Sequence, residues 1–154
     1  MAKPVPKNTI TPNNGGIGGK RGGNTAKRSG TYFEKVAEDY FNDVCIAKRV
    51  LGSGAFGSVT RDPNLLGDVN LYFPTLRATI LADCKFGYSR GESQMTLKKE
   101  WFDKIDREAK LARKYPAVIT KFKGQRGPNS RIISFSWDTF KEMMKDIMEL
   151  VECD

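Results

Sequence analysis

The sequence predicts an α/β protein with a mixed central sheet flanked by helices, in the order αβββαββα. Three observations lead there. Apolar side chains recur at helical spacing over 31–41, 96–115 and 139–151, strand-like apolar runs lie between these stretches, and Gly, Pro and Asn clusters punctuate the joins. Strands and helices mixed in this order build a sheet with helices against it.

The first helix starts at Thr31, with Phe33, Val36, Ala37, Tyr40 and Phe41 on one stripe, and Thr31 with Glu34 reads as a T-x-x-E capping box. A strand over 44–51 carries Lys48 and Arg49. It runs into the loop Gly52-Ser53-Gly54-Ala55-Phe56-Gly57-Ser58, which mimics a kinase phosphate loop but lacks every other kinase feature. Strands over 68–73 and 76–86, joined by Pro74-Thr75, form a hairpin that brings Asp68 near Asp83. After a polar turn over 87–94 comes the helix 96–115, striped by Leu97, Trp101, Ile105, Ala109 and Ala112 and ended by Pro116. Strands over 117–123 and 131–137 flank a basic turn. The last helix is expected to bury Phe140, Met143, Met144, Ile147, Leu150 and Val151, with its methionines serving core or dimer packing.

The 154 residues carry a net charge of +8, which favours a polyanionic partner, nucleic acid ahead of an anionic membrane. The charge is unevenly placed. No acidic residue precedes Glu34, whereas Lys3, Lys7, Lys20, Arg21, Lys27 and Arg28 are all basic. Residues 1–28, rich in Gly, Asn and Pro, read as a disordered basic arm that either contacts phosphates or solubilises, ahead of one folded domain over 29–154. No apolar run approaches the roughly 18 residues of a membrane span, and no secretory signal is evident, so a cytoplasmic protein is expected. Cys45, Cys84 and Cys153 are scattered, as reduced thiols are, and histidine is absent. The missing histidine excludes Ser/His/Asp and Cys/His nucleophiles, His-ligated zinc and histidine-base nucleases.

What remains is carboxylate and lysine chemistry around Leu81-Ala82-Asp83-Cys84-Lys85-Phe86. Alternation puts Asp83 and Lys85 on one face of a strand and Ala82, Cys84 and Phe86 on the other. With Asp68 alongside, two acids could hold a hard cation such as Mg²⁺ while Lys85 orients or deprotonates a water. The plainer alternative is an exposed ion pair on a sheet edge.

An acid on the first helix, then Asp68, then D-x-K on a strand resembles the PD-(D/E)xK nucleases of the restriction-endonuclease-like fold. Within them the chain resembles archaeal-type Holliday junction resolvases and their phage relatives over residues 29–137. The likeness rests on Gly30-Thr31-Tyr32-Phe33-Glu34-Lys35, the run from Arg49 ending in Ser53-Gly54, Gly67-Asp68-Val69, Asp83-Cys84-Lys85, Lys98-Lys99-Glu100 and Ala117-Val118-Ile119-Thr120-Lys121-Phe122. Three positions depart from the pattern. Gly67 replaces the proline before the first Asp, Asp83 stands where Glu is commoner, and Trp101 replaces a Gln.

The resemblance implies that Glu34, Asp68, Asp83 and the Cys84 carbonyl hold Mg²⁺ or Mn²⁺ and that Lys85 activates water or stabilises charge. It also implies that Ser53 lies near the scissile phosphate. Lys27, Arg28, Lys35, Arg49, Lys98 and Lys99 are expected at the DNA, read through its backbone. The implied substrate is a four-way DNA junction cut in two strands by a homodimer. Flap, single-stranded or duplex DNA is the alternative substrate, and a non-catalytic DNA-binding protein the alternative class. Glu34 is open between a ligand and a helix cap.

Overall fold

A computed structural model of the protein describes residues 22–51, 62–90 and 93–152. Its elements are α1 (Gly22–Phe41), β1 (Ile46–Arg49), β2 (Val69–Phe73), β3 (Ala78–Phe86), β4 (Ser89–Arg90), β5 (Gln94–Met95), α2 (Lys99–Ala112), β6 (Tyr115–Lys121), β7 (Arg131–Ser134) and α3 (Trp137–Glu152). The predicted α/β class holds: five strands form one mixed sheet, β1-β2-β3-β6-β7, flanked by helices. β3 pairs antiparallel with β2 and parallel with β6, so it lies in the interior of the sheet. A parallel neighbour requires a crossover, and α2 supplies it.

Two apolar cores lie on the two faces. On one, Phe33 and Ala37 of α1 pack with Ala47, Val69, Leu71, Ile80, Ala82, Ala117 and Ile119. On the other, Trp101, Ile105 and Ala109 of α2 cover Leu66, Leu81 and Val118. The i, i+4, i+8 spacing of the α2 residues is the helical stripe, and the alternation along β3 sends Leu81 and Ala82 to opposite cores. Each large side chain fully removed from water contributes about 1.5–3 kcal/mol.

Several boundaries differ from the sequence reading. α1 starts at Gly22, so residues 22–28 of the expected arm are helical and Thr31 lies inside the helix. A Thr31–Glu34 capping box is therefore ruled out, because a cap needs a helix start. Residues 1–21 lie outside the described residues. A two-stranded ribbon, β4 with β5, occupies the expected polar turn. α2 starts at Lys99, leaving Leu97 outside it and exposed, and it ends at Arg113, whose left-handed backbone donates its N–H to the Ala109 and Lys110 carbonyls. Pro116 thus ends no helix. It is the second residue of β6, and β7 begins to pair only at Val118, so the proline meets no partner strand on that side.

α3 also buries less than expected. Met143 reaches the α1-side core, but Phe140 is 52% and Val151 71% exposed, and Thr139 is the residue of this helix that is buried. No helix among the described residues is long and apolar enough to cross a membrane.

Candidate active site

β3 leaves the two cores carrying alternate side chains. Phe86 turns towards α1, its ring centroid 5.7 Å from that of Phe33, while Asp83 and Lys85 follow Leu81 to the α2 side. Asp83 is fully buried, and its strand has partners on both sides. This excludes the edge-strand ion pair. A carboxylate in such a place requires compensation by charge or hydrogen bonds.

Asp68 is placed by the expected hairpin. Val69 pairs with Ala82, so Asp68 stands one step further, across from Asp83. Its N–H donates to the Ala82 carbonyl at 2.8 Å, its carbonyl accepts from the Val50 N–H at 2.9 Å, and its Oδ2 accepts from the Cys84 N–H at 2.7 Å. The preceding Gly67 has φ +67°, and a Cβ there would lie 2.7 Å from Leu81 Cδ1. Glycine is thus needed twice over, for the left-handed backbone and for the close approach to β3. A proline could not stand here, since its ring fixes φ near −65°.

Glu34 follows the buried Phe33 on α1 and is half-buried. Burial, then the Asp68 carboxylate, raises its pKa above the usual carboxylate value; Arg49 and Lys85 act the other way and Asp83 adds to the rise. Burial and then Asp83 likewise raise Asp68, while the Cys84 N–H, Lys104 and Lys85 partly offset them. Glu34, Asp68, Asp83 and Lys85 thus share one electrostatic neighbourhood. The Cys84 thiol is pushed up by burial and next by Asp68 and Glu34, which keeps it a neutral thiol. Ser53 lies outside the described residues.

Lysines compensate Asp83. The Lys85 ammonium is 2.5 Å from the buried Oδ2 as an ion pair. Lys104 of α2 donates to Oδ1 at 3.1 Å. It also lies 3.5 Å from Glu108 Oε1, and Glu108 Oε2 accepts from the Gly67 N–H at 3.0 Å. Burial works against the Lys104 ammonium, yet Asp83 and Glu108 outweigh it and raise its pKa. The sequence reading missed Lys104 and Glu108. Both follow the Trp101-Ile105-Ala109 stripe at its margin, three residues after Trp101 and three after Ile105, which is the signal that points them at the sheet.

Trp101 closes the site from the side of α2. Its ring meets Tyr88 edge-on at 4.5 Å, with Lys85 Nζ and Lys98 Nζ each 5.9 Å from its centroid. Lys98 also sits 5.5 Å over Tyr88. Of the residues expected at DNA, Arg28, Lys35, Lys98 and Lys99 are exposed, with Lys99 paired to Asp103 at 2.7 Å. The Lys27 side chain lies outside the described residues. Arg49 is committed to Glu38: its backbone N–H and its Nε reach the two carboxylate oxygens at 3.0 and 2.7 Å. This bidentate clamp ties β1 to α1.

A cleft of about 730 Å³ opens at the other end of β3 and β6, lined by Arg77, Lys114, Tyr115, Glu142 and Asp146 among others. It contains none of the acids above, and the buried charges mark the better candidate site. Among the described residues, no three His, Cys, Asp or Glu side chains form a ready-made cation cage. The donor chemistry still suits a hard divalent ion, with carboxylates that repel one another and, at the buried Asp83, two lysine ammonium groups standing where positive charge is required. No protein-family model, curated protein or solved structure matches the chain.

Proposed function

We propose that this chain is a divalent-cation-dependent endodeoxyribonuclease of the restriction-endonuclease-like fold that acts on four-way DNA junctions. The observation that carries the reading is Asp83, fully buried on an interior strand, across from Asp68 and paired with Lys85. Core carboxylates without a task are costly and rare. Glu34, Asp68 and Asp83, with the Cys84 carbonyl, are the proposed holders of Mg²⁺ or Mn²⁺, which when bound lowers the pKa of a coordinated water and neutralises charge on the phosphoryl oxygens.

The chain's own part is positioning and charge. Lys85, fixed on Asp83 and walled by Trp101, presents an ammonium that orients a water or balances the developing negative charge. The Cys84 N–H holds the Asp68 carboxylate towards β3. Exposed Arg28, Lys35 and Lys98 supply phosphate contacts, which set register and carry no base information. A junction cut symmetrically needs two copies of the site. The uncovered apolar residues of α3, Trp137, Phe140, Met148 and Val151, are the proposed contact between two chains.

The test is cleavage of an immobile four-way junction against a linear duplex of equal length, with Mg²⁺. Preferential junction cutting by the wild type, with binding but no cutting by Asp83→Asn and Lys85→Ala, is the expected result. Equal cutting of duplex, flap or single strand moves the substrate within the nuclease reading. Normal folding with junction binding but no cutting of any DNA by the wild type means a binding protein, and neither binding nor cutting overturns the reading.

A further inference from the structure

Asp83 is held by two ammonium groups of different character. Lys85 rises from the same strand, its side chain is 21% exposed, and Trp101 walls it in. Lys104 comes from α2, its side chain is 47% exposed, and it has a second carboxylate, Glu108, one helical turn away. Glu108 is itself fixed, because its other oxygen accepts from the Gly67 N–H. Lys104 therefore has two resting places within reach, Asp83 Oδ1 and Glu108 Oε1, and a solvent-facing stem along which to move between them.

We propose that Lys104 sets the divalent-cation affinity of the Glu34, Asp68 and Asp83 site by competing for Asp83, and that it retires to Glu108 when a cation takes its place. The inference rests on the reading of these acids as a cation site. Its physical basis is simple. An ion brought to Asp83 Oδ1 meets the Lys104 charge at hydrogen-bond distance from that oxygen, and in a buried setting the two positive charges repel strongly. Lys85 gives no comparable exchange, having no second carboxylate partner of this kind among the described ion pairs. Lys104 is thus a positioning residue. It neutralises Asp83 between catalytic events and keeps the buried carboxylate from destabilising the fold.

The measurement is Mn²⁺ binding to the full chain, by titration calorimetry and by the loss of the free-ion electron paramagnetic resonance signal, without DNA. Lys104→Met is expected to bind Mn²⁺ about five- to tenfold more tightly than the wild type, because the competing charge is gone. Lys104→Arg keeps the charge and is expected to bind as the wild type does. Asp83→Asn is expected to abolish the site in either background. If Lys104→Met fails to fold, Lys104→Gln removes the charge while keeping a polar end, and the same tightening is expected. Unchanged or weaker binding in a folded charge-removing variant overturns the role of Lys104 while leaving the cation site standing. Absence of any Asp83-dependent Mn²⁺ binding in the wild type overturns both.

Discussion

Asp68 Oδ2 accepts a hydrogen bond from the Cys84 N–H at 2.7 Å, so the first acid of the site is anchored to the backbone between Asp83 and Lys85. Burial and the facing Asp83 nevertheless raise its pKa above the ordinary 3.8. The folded chain then holds a proton that the unfolded chain has released, and stability falls as pH rises from the unfolded value through the raised folded one. Asp68→Asn is expected to remove most of this fall, raising Tm at pH 7 by about 2–4 °C without divalent cations while abolishing cleavage. Calorimetry across pH 3–8 checks the first expectation and a junction assay the second.

Glu38 works in the opposite sense. The Arg49 backbone N–H, then its side chain, hold the Glu38 pKa below 4.5 against a small desolvation cost. Its stabilisation is present above the unfolded value and is lost as pH falls through the lowered folded one. Both side chains are 23% exposed, so solvent screens the pair. Glu38→Gln is expected to cost about 0.5–1 kcal/mol at pH 7 and progressively less as the pH is lowered below the ordinary carboxylate range, read by urea melts across acid pH.

Gly67 carries the tightest steric demand of the site. Gly67→Ala imposes a left-handed alanine and a contact of 2.7 Å with Leu81. A loss of about 2–4 kcal/mol is expected, because strain and overpacking add. A smaller urea midpoint at unchanged slope confirms it, whereas a loss below 1 kcal/mol shows that β3 gives way.

Lys85→Met leaves Oδ2 of the buried Asp83 without its ion pair, with Lys104 still on Oδ1. A stability loss of about 1–3 kcal/mol and a fall in cleavage of at least about 100-fold are expected, with junction affinity nearly unchanged. Gel-shift titration beside single-turnover cleavage separates the two effects.

The basic arm gives a salt test. Since α1 begins at Gly22, the informative truncation removes residues 1–21, with Lys3, Lys7, Lys20 and Arg21. The slope of log K against log salt is expected to flatten by about 0.9 for each phosphate that the arm neutralises. An unchanged slope assigns the arm to solubility.

Much of the fold was legible where period and burial coincide. The Trp101, Ile105 and Ala109 stripe and the alternation from Leu81 to Phe86 each have one physical solution, and the structure adopts it. Asp68 beside Asp83 followed from the hairpin alone. Helix ends were less legible. Thr31 reads as a cap because T-x-x-E stands where the apolar stripe begins, yet the helix runs through Gly30 and extends back to Gly22. Pro116 looked like a helix stop, but Arg113 had already ended α2 through a left-handed residue that no composition rule singles out. The pairing of Arg49 with Glu38 is not legible in the sequence, because the two come from different elements and only the packing of α1 on β1 brings them together. Lys104 was hidden for the same reason.

The parallel pairing of β3 with β6 has a consequence in time. Asp83 becomes part of an interior strand only when Val118 stands beside it, and the chain between them includes the whole of α2. A nascent chain that ends before Tyr115 has β1, β2 and β3 but leaves Asp83 on an open sheet edge, with Lys104 on a helix that has no completed sheet to cover. Asp83 therefore becomes an interior residue only after α2 and β6 have followed it out and Val118 has paired beside it.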